Sequence, residues 1–127
     1  MKLKGEEGSE TLLAASNYAA SLVELQRFEE ARSLMRQTMP VARRVLGDSH
    51  DYTLRMRACY AKALYKDAGA TLDDVREAVT TLEDTRRIAR RVLGGAHPTT
   101  MGIHQDLRNA RAALRARETP SSPSGSA

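Results

Sequence analysis

With 127 residues, 41% apolar content, 4% aromatics and no tryptophan, the chain is sized for one compact domain or a short piece of a longer array. Sixteen arginines set among sixteen acids leave a net charge of +4; the signs alternate along the presumed helices, as on solvated faces, and nucleic-acid binders concentrate their basic charge instead. No run of 18 apolar residues exists for a membrane span, and the opening MKLKGEEGSE lacks the apolar segment of a signal peptide. Cys59 is the single cysteine, so no internal disulfide can form, which fits a reducing, cytoplasmic setting.

Residues 1–8 hold two glycines and no apolar periodicity, and read as a flexible leader. From Leu12 the apolar residues Ala15, Ala19, Leu22, Val23 and Leu25 follow at helical spacing, with Ser9 or Thr11 as candidate caps. Gln26 and Arg27 make a short turn. A second helix runs from Phe28 through Ala31, Leu34, Met35, Met39 and Ala42 to Leu46, with Pro40 inside it. Gly47 suits the position after a helix end, and Arg43 and Arg44 suit the last turn. A third helix over about 52–67, capped by Asp48, Ser49 or Asp51, carries Leu54, Ala58, Ala61, Leu64 and Tyr65. After a longer turn, a fourth runs from about Asp73 to Leu93 with Val75, Ala78, Val79, Leu82, Ile88, Ala89 and Val92 inward. Gly94 and Gly95 end it. Pro98 opens a fifth helix carrying Ile103, Leu107, Ala110 and Leu114 to about Arg117. Residues 119–127, within TPSSPSGSA, can bury nothing and read as a disordered tail.

One stretch is written twice. VARRVLGDSHDYT at 41–53 and IARRVLGGAHPTT at 88–100 align over a separation of 47 residues, with a fainter copy, GEEGSET, at 5–11. The repetition predicts an all-α fold of five helices, a short α-solenoid in which each helix pair leaves an apolar face for the next to cover. Its repeat domain spans 9–118, with repeats at about 9–47 and 48–94 and a half repeat or capping helix at 98–117.

These residues resemble the tetratricopeptide repeat, and more closely its kinesin-light-chain-like variety, whose repeats of about 42 residues are joined by a glycine-x-x-His-Pro-x-Thr link. Here the link reads Gly47 to Thr53 and Gly94 to Thr100. Asn17-Tyr18-Ala19 with Phe28-Glu29-Glu30-Ala31, and Cys59-Tyr60-Ala61 with Val75-Arg76-Glu77-Ala78, look like the core of two repeats, the second with five extra residues in its turn. Ala19, Ala31, Ala61 and Ala78 fall where helices of a pair cross, and Tyr18, Leu22, Tyr60 and Leu64 fill between pairs. The fifth helix departs from the pattern: Arg108 and Arg111 stand where Ala19 and Leu22 stand in the first. Either it is a cap with one polar face, or those arginines pair with acids of a further helix.

The resemblance implies a concave groove lined by the first helix of each pair. Arg55, Lys62 and Lys66 lie on one face of the third helix and would look into it, with Leu13, Asn17 and Ala20 from the first helix and Asp106 and Asn109 from the fifth. Cations beside an amide can hold an extended peptide, the amide satisfying its backbone and the cations its carboxylates. The expected function is a protein–protein interaction module, a scaffold or adaptor for a peptide or partner helix, acidic in character. The alternatives are self-association through exposed repeat ends and a regulatory array within a larger signalling protein.

Other chemistry finds little support. His50, His97 and His104 have no paired cysteines or H-E-x-x-H beside them, so no metal is expected, and the recurrence of His50 at His97 reads as a turn device. Cys59 has no partner histidine implied by spacing and reads as a structural thiol. No glycine-rich phosphate loop exists, so neither an enzyme nor a cofactor is expected. The Arg-Arg pairs at 43–44, 86–87 and 90–91 lie on outer faces without interleaved aromatics, which disfavours nucleic acid.

Overall fold

The two joints are set by glycines in the left-handed region, Gly47 at φ 98° and Gly94 at φ 91°. A Cβ at either would meet nothing within 4 Å, so backbone conformation alone demands the glycine there. Each glycine N–H turns back to the last carbonyls of the preceding helix, those of Ala42 and Arg43 or of Ala89 and Arg90, and closes it. The computed structural model describes residues 5–118 as α1 (Gly5–Glu24), α2 (Phe28–Val45), α3 (Asp51–Tyr65), α4 (Leu72–Val92) and α5 (Pro98–Glu118). No strand occurs among the described residues. The tail at 119–127 and residues 1–4 of the leader lie outside them.

Several local expectations change. Residues 5–8, read as leader, are the first turn of α1, and Ser9 and Thr11 lie inside that helix rather than capping it. Asp48, Ser49 and Asp51 do not cap α3. His50 does, its Nδ1 accepting from the Tyr52 N–H at 3.0 Å, and His97 repeats the bond to the Thr99 N–H at 3.1 Å. Both rings satisfy a helix N–H left without an intrahelical partner. The longer turn before α4 ends in a capping box, with Thr71 Oγ1 accepting from the Asp74 N–H and Asp74 Oδ2 from the Thr71 N–H, each at 3.0 Å. Helix α2 continues through Pro40.

The helices stack as α1–α2, α3–α4 and α5, with α3 packing on both α1 and α2, α4 on α3, and α5 on both α3 and α4. Ten of the 15 residues of α3 are buried. One side joins Met56, Cys59 and Ala63 to Leu22, Ala31 and Met35 of the first pair. The other joins Leu54, Ala58, Ala61 and Leu64 to Val75, Ala78, Leu82, Ile103 and Leu107. The alanines at 19, 31, 61 and 78 are all fully buried. Periodicity places Leu25, Val92 and Tyr18 inward, yet all three are exposed, Tyr18 by 58% and Leu25 by 65%. Tyr60, one repeat on from Tyr18, is half-buried because α2 and α4 flank it; among the described residues, nothing flanks α1 on that side.

Polar ties cross the apolar layers. Arg57, buried in α3, donates to Asp84 of α4 at 2.6 Å. Arg32 of α2 donates to the Ala63 carbonyl at 3.1 Å and to Asp67 at 3.3 Å. Arg117 donates to the Ala70 carbonyl, holding the end of α5 to the turn before α4.

Because Ala78 has no room beyond its methyl, Ala78→Leu is expected to lower stability by ~1–3 kcal/mol in urea unfolding. Ala14→Leu, on the exposed side of α1, is expected to leave the midpoint in place.

Candidate functional site

Helices α1, α3 and α5 are the first members of their pairs, and their shared side forms a groove of about 920 Å³. Of the residues expected there, Asn17, Ala20, Arg55, Lys62, Lys66 and Asn109 line it. Leu13 does not; it is half-buried on α1. The apolar part of the wall comes from Val23, Phe28, Ala58 and Ile103. The groove is thus a polar channel with an apolar floor, open along its length.

The three cations are not equivalent. Arg55 is engaged at the joint between α3 and α5: its Nε stands 3.4 Å from Asp51 and 3.5 Å from Thr99 Oγ1, while Thr99 donates to Asp51 at 2.6 Å. Its guanidinium also lies over the Tyr52 ring at 5.8 Å. Lys62 Nζ stands 3.9 Å from Asp106 Oδ2, at the outer limit of an ion pair. Lys66 is exposed, and no carboxylate pairs with it among the described residues. Asn17 is exposed, and Asn109 accepts at Oδ1 from Gln105 at 3.1 Å.

Asp106 is the electrostatic centre of the groove. Its side chain is only 13% exposed. Burial raises its carboxyl to about 6, against the opposing pull of Lys62 and Lys66. Tyr65 sits beside it, and its buried hydroxyl makes no hydrogen bond of normal geometry. Burial, reinforced by the Asp106 charge, pushes the Tyr65 hydroxyl up to about 12. Burial likewise pushes the Cys59 thiol up to about 11, which keeps it protonated and disfavours a nucleophilic role. Sequence spacing put Asp106 near this surface; its coupling to Tyr65 and Lys62 is tertiary and has no sequence signature.

The histidines serve elsewhere. His50 and His97 are helix caps, and His104 stands exposed on α5 with Nδ1 3.3 Å from Arg86. No cluster of three or more metal-ligating side chains occurs among the described residues. None of the described helices is long and apolar enough to cross a membrane.

A family model, tetratricopeptide repeat, matches residues 10–70, which covers most of α1, all of α2, the first joint and α3. Together with the five stacked helices this supports a tetratricopeptide-like helical repeat fold. Such repeats generally mediate protein–protein interaction and are typically not enzymes. Neither the curated proteins nor the solved structures gave a match.

A carboxyl raised in the folded state contributes stability that is complete below its ordinary value and lost as pH rises through the folded one. Asp106 therefore costs stability above about pH 6. Asp106→Asn is expected to be more stable than the parent by on the order of 2 kcal/mol at pH 7.5 and equal to it near pH 4. Thermal unfolding at the two pH values measures the difference, and equal gaps at both would contradict the assignment.

Proposed function

We propose that the chain is a scaffold or adaptor module, of the kinesin-light-chain-like variety, that holds an acidic peptide or partner helix in its concave groove in the cytoplasm. The supporting observation is Lys62, poised at 3.9 Å from a buried carboxylate, next to the unpaired Lys66. Asp106 stands where a ligand carboxylate would stand, so binding exchanges one partner of Lys62 for another. Lys66 contributes a second charge-assisted contact, Asn17 satisfies the backbone of an extended ligand, and Phe28 and Ile103 take an apolar side chain. Arg55 is committed to the joint and contributes positioning more than charge.

Self-association is the second reading, favoured by Tyr18 on α1 and Leu25 in the turn that follows it, two large apolar side chains that are exposed. It predicts a concentration-dependent mass in sedimentation that Tyr18→Ser abolishes. The groove reading predicts a monomer in which that change is silent.

With a fluorescent Asp/Glu-rich peptide as probe, Lys62→Glu with Lys66→Glu is expected to keep the helical circular dichroism and abolish binding. Affinity unchanged in that double variant would rule the groove out. Asp106→Asn removes the internal competitor of the ligand, so it is expected to bind the same peptide several-fold more tightly at pH 7.5.

A further inference from the structure

The repeat register shows what the outer side of α5 would need in order to receive another repeat, and it has something else. A shift of 47 residues carries Leu54, Ala58, Ala61 and Tyr65 of α3 onto Met101, Gln105, Arg108 and Ala112 of α5. On α3 these residues are buried in one cluster with Val75, Ala78 and Leu82 of α4. On α5 all four are exposed, Met101 by 59%, and no helix covers them among the described residues. The seam keeps its helical spacing and stays apolar at its ends, but its middle holds an amide and a cation, Gln105 and Arg108, where α3 has two alanines.

Helix α4 borders this seam with Arg86 and Arg90. Three shallow hollows of about 600, 380 and 400 Å³ adjoin in pairs, the first two at Arg86 and Arg90, the last two at Gln105 and the outer two at Arg111, so they form one continuous surface over α4 and α5. Local acids are already taken: Glu83 pairs with Arg111 at 3.0 Å, and Asp84 with Arg57 and Arg87. Among the described residues no carboxylate pairs with Arg86, Arg90, Arg108 or Arg115. Arg86 and Arg90 stand one turn apart, as do Arg111 and Arg115, so like charges repel along both helices. Where Arg57 reaches across to Asp84 of α4, α5 has His104, whose Nδ1 lies 3.3 Å from Arg86.

We propose that this face receives an acidic amphipathic α-helix of a partner protein, lying along α5 as α4 lies along α3. Its carboxylates meet Arg86, Arg90, Arg108 and Arg115, and an apolar side chain covers Met101. The helix-shaped register selects a helical ligand over an extended one. RNA is disfavoured because the face carries no Phe, Tyr or Trp on which a base could stack, and its one ring, His104, lies against Arg86. The site is separate from the concave groove and does not depend on it.

The probe is a synthetic helix with glutamates at i, i+3, i+4 and i+7 around a central leucine. Its control has the same charge and a central proline that breaks the helix. At physiological salt the helical probe is expected to bind and to shift backbone amide resonances within Met101–Arg115. Arg90→Glu with Arg108→Glu is expected to weaken binding roughly tenfold or more. Arg86→Ala with Arg115→Ala, milder for the fold, is expected to weaken it in the same direction. Lys62→Glu with Lys66→Glu is expected to leave it unchanged, which separates this site from the groove. Absence of binding, equal affinity for the proline control, or shifts confined to the groove would each overturn the proposal. So would tighter binding to oligouridylate RNA or to phosphatidylserine vesicles.

Discussion

Helix α3 is apolar on two sides at once, and the rest of the stack depends on that. A helix that buries a single stripe can end a domain, whereas one that buries two must be covered twice. Met56, Cys59 and Ala63 face the first pair, and Leu54, Ala58, Ala61 and Leu64 face α4 and α5. Each seam includes small side chains, Cys59 and Ala63 in one and Ala58 and Ala61 in the other, which let helix backbones approach closely. Thr53 and Arg57 are the polar exceptions, and the bond of Arg57 to Asp84 fixes how α4 lies on α3. Removing either cover would expose most of the central helix, so the two clusters are coupled through it.

Much of this was legible because it is local or repeated. Glycines at 47 and 94 announce helix ends through a conformation other residues avoid, and the structure puts both at positive φ. The buried alanines could be placed from their spacing. The cap of α3 is not legible in the same way, because Asp and Ser are the usual caps and Asp48, Ser49 and Asp51 surround His50. The repetition of the histidine three residues after each glycine was the available clue. It marks a ring nitrogen that takes over the role of a hydroxyl. Tyr18 was misplaced for a different reason. Periodicity says which residues share a face, not whether another helix covers that face, and α1 stands at the edge of the described stack.

The groove divides in the same way. Asn17, Ala20, Lys62, Lys66 and Asn109 could be put on one wall because they sit at fixed offsets on helices that repeat. The behaviour of those residues depends on neighbours from other helices. Arg55 is tied to Asp51 and Thr99, and the lysines share their field with Asp106. What spacing reads as a stripe of three free cations is one engaged guanidinium, one lysine facing a buried carboxylate and one open lysine. Tyr65 and Cys59 complete the pocket wall, and burial holds both of them in the neutral form.

The two ends of the stack carry opposite chemistry on corresponding helices. At the first end, α1 exposes Tyr18 at a place where Tyr60 of α3 is flanked on both sides. At the other, α5 exposes Arg108 where Ala61 lies fully buried. An apolar end favours another apolar face, since burial of its side chains needs no charged counterpart. An arginine end disfavours that partner, because covering unpaired guanidinium groups with hydrocarbon is strongly opposed. Head-to-tail extension of the stack would have to bring these unlike ends together. Without acids from the neighbour to neutralise α5, such a contact gains area at the cost of unpaired charge. Arg108 on α5 is thus matched by a surface that brings carboxylates and not by a bare apolar face.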